Sequence, residues 1–261
     1  MQISLKGKTA MVGGASSGLG KAIAMQLAES GAAITLVARD EIKLQAVMAS
    51  LPSGHGQRHQ YLVVDFADFD GYSTAISRYF ETNAVDILVN NTNGPAAGTV
   101  WEKNTDDYQQ AFNLLFKTVN FVTMAALTSM RSRQYGRIIN LASVTVQEPA
   151  QNLVLSNSIR SAVISWAKTL SREVAADGIT VNNILTGYFD TARLNEIYSK
   201  QAEKMGLSTE EYKDKVIADI PVKRLGNPEE FAFLVAFLAS DNAAYITGNN
   251  IPIDGGLLKS S

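Results

Sequence analysis

Apolar residues along the chain come in two alternating rhythms. Short, nearly continuous apolar runs lie at residues 8–14, 33–38 (AITLVA), 61–64, 86–90 (DILVN), 137–141 (RIINL), 179–185 and 250–253. Runs of this length, bounded by turn residues, read as strands buried on both faces. Between them the apolar spacing is helical. Residues 18–30 put Ile23, Leu27 and several alanines on one face, and Gly31 ends the helix. Asp40 caps a helix carrying Leu44, Val47, Met48 and Leu51. Long helices follow at about 105–131 and 154–176. Asn227-Pro228-Glu229-Glu230 opens another, with a cap, a first-turn proline and a capping-box glutamate. Strands alternating with helices predict an α/β domain, doubly wound around a parallel sheet with right-handed crossovers. No repeat, low-complexity tract or linker divides residues 1–261, so one domain is expected.

Composition narrows the partners. Apolar residues make up 46% of the 261, enough for a large core, and the formal charge of -2 offers no basic field to nucleic acid or an anionic membrane. With no cysteine, disulfides and thiol chemistry are excluded. His55 and His59 sit in a polar, Gly-rich stretch that reads as a solvated loop rather than a metal site. Residues 1–8 lack the apolar run of a signal peptide, and no stretch is read as the roughly 20 apolar residues needed to cross a bilayer. The expectation is a cytoplasmic protein acting on a small molecule, with no metal, nucleic-acid or membrane partner.

Ligands of such sheets bind beyond the carboxyl ends of the strands, so the chemistry should follow each strand. After the first comes Gly13-Gly14-Ala15-Ser16-Ser17-Gly18-Leu19-Gly20. Glycines there let the backbone turn and approach a pyrophosphate, while the helix start offers free N–H groups. Gly14, Ser16, Ser17, Gly18 and Leu19 are the candidate cradle. The second strand ends in Ala38-Arg39, where a fold preferring NAD(H) would place an acid; a guanidinium there suits a 2′-phosphate, so NADP(H) is expected to be preferred over NAD(H). Asp65 and Phe66 follow the third strand, and Asn90-Asn91-Thr92-Asn93-Gly94 the fourth; asparagines at such a place also serve as plain turn formers.

In order along the chain, GGASSGLG, DILVNN, RIINLAS and PVKRLGNPEEFAFLVAFLASDNAAYITGNNIPIDGG resemble the short-chain dehydrogenase/reductase family, especially its 3-oxoacyl-carrier-protein-reductase-like members. The resemblance spans about residues 5–258. It implies a Rossmann fold with a seven-stranded parallel sheet and helices on both faces, a nicotinamide cofactor, hydride transfer at a carbonyl or alcohol, and a homo-oligomer, commonly a tetramer. By the same resemblance Asp65 takes the adenine-binding position and Asn91 belongs to the asparagine motif, whose last two places are changed to Thr92-Asn93. Gly13 stands where the glycine motif usually has threonine. The catalytic asparagine and serine fall on Asn113 and Ser143. The Tyr-x-x-x-Lys motif falls on Ser156-Asn157-Ser158-Ile159-Arg160, so both its chemical residues are replaced. The Pro-Gly after the sixth strand is Thr186-Gly187, with Gly187 at the nicotinamide carboxamide. Residues 191–224, with two helical stretches and Leu194, Ile197, Tyr198, Met205 and Leu207 as apolar contacts, match the substrate lid.

A phenol brought towards working pH by a lysine is the family's proton donor. Serine has no comparable acidity, and losing a positioned general acid typically costs roughly 10²–10⁴ in rate. Arg160 keeps the charge and could hold the nicotinamide ribose, but cannot titrate as lysine does. Tyr188 is a phenol within reach of the site, or else a pocket wall. Three readings stand: an NADP(H)-dependent oxidoreductase with atypical proton chemistry through Ser143, a water or Tyr188, acting on a carbonyl or a 3-oxoacyl thioester; a non-catalytic dinucleotide- or metabolite-binding protein; and a lyase or isomerase using Arg160 as an anion clamp.

Overall fold

The computed structural model describes residues 3–260. Seven parallel strands form one sheet: β1 (Thr9–Gly13), β2 (Ala33–Ala38), β3 (Gln60–Val63), β4 (Ile87–Asn90), β5 (Gly136–Leu141), β6 (Ile179–Thr186) and β7 (Asn250–Ile253). Their order is β3-β2-β1-β4-β5-β6-β7. The order reverses between β1 and β4, which leaves a crevice at the carboxyl ends of those two strands. Helices α1 (Gly18–Glu29), α2 (Glu41–Ser50), α3 (Phe69–Phe80), α4 (Thr105–Phe112), α5 (Thr118–Arg133), α6 (Val154–Val174) and α9 (Pro228–Ala239) cover the two faces. α7 (Ala192–Met205) and α8 (Thr209–Asp219) follow β6.

Two apolar layers hold the helices down. On one face Ile23, Leu27, Leu36, Phe231 and Val235 pack α1 and α9 together; on the other Met11, Ile76, Leu88, Met130 and Val181 join α3, α5 and α6 to the sheet. The expectation that every strand is covered on both faces holds for the central ones. It fails for the edge strands β3 and β7, where Gln60, Val63, Asn250 and Pro252 are exposed. α3 is a helix that the apolar pattern did not predict. Asp68 caps it through a bond from the Gly71 N–H, and Tyr72 and Ile76 are its buried face. The expected long helix from Thr105 is real but interrupted: Asn113–Lys117 forms one π turn between α4 and α5. The segment Thr105–Ser132 is also long and apolar enough to cross a bilayer, contrary to the expectation that no such stretch exists. It is a core helix, with Val122, Ala126 and Met130 buried in the layer beneath it.

Polar groups inside the sheet are also paired. The side-chain amides of Asn90, Asn140, Asn183 and Asn250 lie in register on β4, β5, β6 and β7. Asn90, Asn140 and Asn183 each donate to the side-chain oxygen of the next at 2.8 Å, and Asn250 closes the row as an acceptor. Such pairing offsets the desolvation of amides within an apolar sheet. His59, expected in a solvated loop, instead ties strands and loop together: its Nδ1 accepts from the Ile34 N–H at 3.1 Å, which leaves Nε2 to donate to the Pro52 carbonyl.

Candidate active site

The crevice opens at the glycine turn. Gly14 and Gly18 have positive φ, +58° and +53°. A Cβ on Gly20 would stand 2.2 Å from the Gly14 carbonyl oxygen, so helix and turn pack with no room for a side chain. Ser17 precedes α1 in extended conformation and its side chain caps nothing. The first N–H groups of α1 are therefore free to meet an anion, reinforced by the helix dipole. A cleft of about 240 Å³ lies there, lined by Gly14, Ser17, Gly18, Leu19, Asn91, Thr92, Gly187, Thr191 and Arg193 among others. Sites for drug-sized ligands run from about 300 to 1,000 Å³. A dinucleotide would thus extend out of the cleft along the strand ends.

That direction leads to Arg39 and Asp65. Arg39 is exposed and makes no hydrogen bond or ion pair among the described residues, so its guanidinium is free for a ligand. Asp65 closes its own turn by accepting from the Ala67 N–H at 2.9 Å. The ring of Phe66 packs on Tyr72, 5.5 Å between centroids, and is half-buried. Asn91 donates through Nδ2 to the Gly13 carbonyl at 3.0 Å, which fixes the loop after β4 against the glycine turn. Ser16 does not reach the cleft wall, whereas Ser17 does.

The reacting end is assembled by α6. Its N-terminal half packs against the π turn at Asn113 and against the 3-10 turn Val144–Val146 that Ser143 begins. These contacts bring Asn113, Ser143, Ser156 and Arg160 to one end of the sheet. In the π turn the Thr118 N–H bonds the Asn113 carbonyl, and the Asn113 side-chain oxygen accepts from Gln109 Nε2 at 3.0 Å. Single π turns within helices are frequent at functional sites. Ser143 Oγ accepts from the Thr145 N–H at 3.2 Å and from Thr145 Oγ1 at 3.0 Å. Arg160 donates from Nε to Ser156 Oγ at 3.3 Å and from a terminal nitrogen to the Leu141 carbonyl. Burial brings its guanidinium down to about 10, which leaves it charged at neutral pH. No carboxylate pairs with it among the described residues.

Tyr188 makes no hydrogen bond to this group among the described residues. Gly187 and Phe189 line the cleft, but Tyr188 does not. Burial first, then Tyr212 and Asp219, push its phenol up. In the segment after β6, Tyr198, Ile220 and Leu225 form a small core with Leu194 and Tyr212, while Met205, expected as a contact, is exposed. Thr191, Ala192 and Arg193 line the cleft and were not among the candidates read from the sequence. Thr191 caps α7 through the Leu194 N–H and its Cγ2 reaches 3.4 Å from a Cβ built on Gly18; Arg193 follows it. Both lie far in sequence from the turn they face, so only the capping threonine could have signalled their place.

Residues 14–258 match the family described as enoyl-(acyl carrier protein) reductase. The chain is 32% identical to the NADPH-dependent reductase BacG of Bacillus subtilis, over 97% of this chain and 98% of that one. The chain belongs to the short-chain dehydrogenase/reductase family. It is also 31% identical to the 3-oxoacyl-[acyl-carrier-protein] reductase FabG of Haemophilus influenzae, over 98% and 100%. The L-sorbose reductase of Gluconobacter frateurii, solved with NADPH and L-sorbose, superposes with a TM-score of 0.93 at 32% identity, covering all of both chains. Like these short-chain reductases, the protein is an oxidoreductase built on a Rossmann sheet. Among the open readings, this supports the first.

Proposed function

We propose that the protein is an NADP(H)-dependent reductase of a small carbonyl compound, with NADP(H) preferred over NAD(H). The glycine turn carries the reading. Its uncapped helix start faces the cleft, and the close approach of Gly20 to the Gly14 carbonyl leaves no room for a side chain in the turn itself, the local chemistry a pyrophosphate needs. Gly14, Ser17, Gly18 and Leu19 would hold the pyrophosphate, with Ser16 shaping the turn. Arg39 would hold the 2′-phosphate, and Asp65 with the Phe66 backbone the adenine. Asn91, Gly187 and Arg160 would hold the nicotinamide end. When bound, this cofactor supplies the hydride. Asn113 would order the reacting end through the π turn, while Ser143 and Ser156 would meet the substrate oxygen. Tyr188 would serve as part of the wall on the side of residues 191–224, the substrate lid. NADPH and NADH quenching of intrinsic fluorescence tests the reading. A dissociation constant for NADPH at least about tenfold below that for NADH is expected; equal affinities would overturn the preference.

We also infer a homo-oligomer, with tetramer the expected count. Between α5 and α6 runs a groove of about 910 Å³ lined by Met124, Leu127, Trp166 and Leu170, with Arg131 and Asp177 at its end. Phe112 stacks on Phe116, which meets Trp166 edge-on beside it, an aromatic cluster next to a groove whose other walls carry Thr128, Thr169 and Glu173.

A further inference from the structure

Residues 254–260, which follow β7, touch three parts of the site although none of them lines the cleft. The segment starts beside Gly187. A Cβ on Gly187 would stand 2.6 Å from the Asp254 Cα, and the Gly187 N–H bonds the Ile253 carbonyl at 3.1 Å. Asp254 folds the segment into a turn: its two carboxylate oxygens accept from the Gly256 N–H at 2.9 Å and the Leu258 N–H at 2.8 Å. Gly255 then meets the end of residues 191–224. Its carbonyl accepts from the Val222 N–H at 3.2 Å, and a Cβ on it would stand 2.6 Å from Val222 Cγ2. Leu257 packs in two apolar clusters at once. One holds Tyr198 and Ile220, from residues 191–224; the other holds Val144 and Leu185, beside Ser143.

A carboxylate grips the far end. Oε1 of Glu148 accepts from the Lys259 N–H at 2.7 Å, the Ser260 N–H at 2.8 Å and Ser260 Oγ at 3.0 Å. The bonds from the Ser260 and Lys259 N–H groups hold its carboxyl below the ordinary value, so it is ionised at neutral pH. Bonds to an ionised acceptor are the stronger kind. Glu148 itself stands on the reacting end. Its N–H bonds the carbonyl of Val144, the residue after Ser143, at 3.1 Å. Asn157, the residue after Ser156, holds the same loop by donating to the Ala150 carbonyl at 2.8 Å.

Resting on the reductase reading above, we propose that residues 254–260 are a strap that sets the lid against the Ser143 turn, and that Glu148 is the positioning residue that latches it. With the latch made, Leu257 pins the apolar core of the lid, and Thr191, Leu194 and Ile197 stay on the cleft wall. With the latch lost, the strap frays from its far end and α7 and α8 open more often by local unfolding. A ligand in the cleft then escapes sooner, while its capture by an open cleft is not slowed.

Trypsin reads the opening. Lys200, Lys204 and Lys215 are exposed but lie on α7 and α8, where cleavage needs the helix to open. Glu148→Ala, and a chain stopped after Leu258, should each speed cleavage at these lysines at least about fivefold. Cleavage after Arg172, on the core helix α6, should stay at the parent's rate and so show that the whole domain has not loosened. Combining the two changes should add almost nothing, because both cut one link. Glu148→Gln keeps an oxygen acceptor and should recover part of the protection. Lid cleavage unaltered in both variants, or rates that multiply in the combination, overturns the proposal. Stopped-flow displacement of NADPH tests the reach of the latch to the cleft. Dissociation should be at least about threefold faster in Glu148→Ala, intermediate in Glu148→Gln, with association unchanged in both. A dissociation rate equal to the parent's overturns the positioning role. A parent that binds no NADPH, with lid cleavage still faster in the variants, overturns the reductase reading and keeps the latch.

Discussion

A Cβ atom on Gly13 would stand 2.4 Å from the main-chain oxygen of Asn91 and 3.2 Å from its nitrogen. The loop after β4 therefore lies against β1 where a side chain would otherwise be. The family's glycine motif usually has threonine at this place, and its asparagine motif usually continues with alanine and glycine. Here both are altered, and the altered segments touch. The absent side chain lets Asn91 close on the glycine turn, and Asn91 Nδ2 bonds the Gly13 carbonyl in return.

Gly13→Ala should separate the two segments. Overpacking of this kind costs typically about 1–3 kcal/mol, and here it falls on backbone atoms that cannot swing aside. NADPH affinity should drop about tenfold or more, together with a lower melting temperature. A variant that binds NADPH as tightly as the parent would show that the loop has slack.

Arg39 follows Ala38 at the end of β2 and makes no hydrogen bond or ion pair among the described residues. Arg39→Ala should remove most of the NADPH preference, about 1.5–3 kcal/mol for a charge-assisted bond to phosphate, and leave NADH affinity almost unchanged. Titrating both cofactors against both proteins checks it. Equal loss for NADH would place Arg39 elsewhere on the dinucleotide.

The strands, most helices and the glycine turn were legible because each is a local pattern. α3 carried its signals too, an Asp68 cap and Tyr72, Ile76 and Phe80 at helical spacing. Gly71 in its first turn and the polar residues between hid them, and packing on α5 supplies what local preference lacks. The π turn at Asn113 is different in kind. One extra residue in a helix leaves no mark in the hydrophobic period, so the sequence showed the asparagine and not the π turn. Asn182-Asn183 inside an apolar strand was a visible oddity, but the partners Asn140 and Asn250 follow only from register. The Ser156–Arg160 bond was predictable in spacing, four residues apart on one helix, while its companion at the Leu141 carbonyl joins segments 19 residues apart.

The proposed homo-oligomer can be tested at the α5–α6 groove without touching the cleft. Met124 is 53% exposed and points into that groove with Trp166. Met124→Glu would place a carboxylate beside Trp166 and Glu173 in the proposed interface, where burying it unpaired is costly. Light scattering at micromolar concentration should show an even-numbered oligomer for the parent and a smaller species for the variant. A parent that is monomeric would remove the oligomer reading.

Stability in acid should depend on Glu230. Hydrogen bonds from Arg224, at 2.7 Å to each of its oxygens, and from the Asn227 N–H at 2.8 Å hold its carboxyl down at about 2, against an ordinary value of 4.5. The folded-state value lies below the unfolded one, so the contribution is complete above about 4.5 and is lost as pH falls towards 2. Both side chains are largely exposed, so solvent screening keeps the pair to about 1 kcal/mol or less. Glu230→Gln should lower stability by that amount at pH 7 and by almost nothing near pH 2, measured by urea unfolding. A difference that persists unchanged at low pH would assign the effect to packing.

The final prediction concerns the missing phenol. Ser156→Tyr with Arg160→Lys rebuilds a proton donor and the cation that tunes it, beside Asn113 and Ser143. The expected result is a gain in reduction of a saturated ketone of roughly 10²-fold or more, the scale of a restored general acid. Groups that act as a unit are strongly non-additive, so each single change should do much less. Ser156→Tyr alone leaves the phenol beside a guanidinium that already bonds the Leu141 carbonyl and does not give up its proton near neutral pH. Arg160→Lys alone withdraws the Nε bond from Ser156 and supplies no acid in its place. The pH profile separates the two designs. In the parent the charge of Arg160 is lost only as pH rises through about 10, so the rate should be flat below that value and fall above it. The double variant should instead show a fall at lower pH, as its phenol ionises. If the profile of the parent bends near neutrality, a group other than these two serines and Arg160 delivers the proton. Tyr188→Phe then decides whether that group is its hydroxyl: a loss of roughly tenfold or more assigns it, and an unchanged rate leaves Tyr188 as wall.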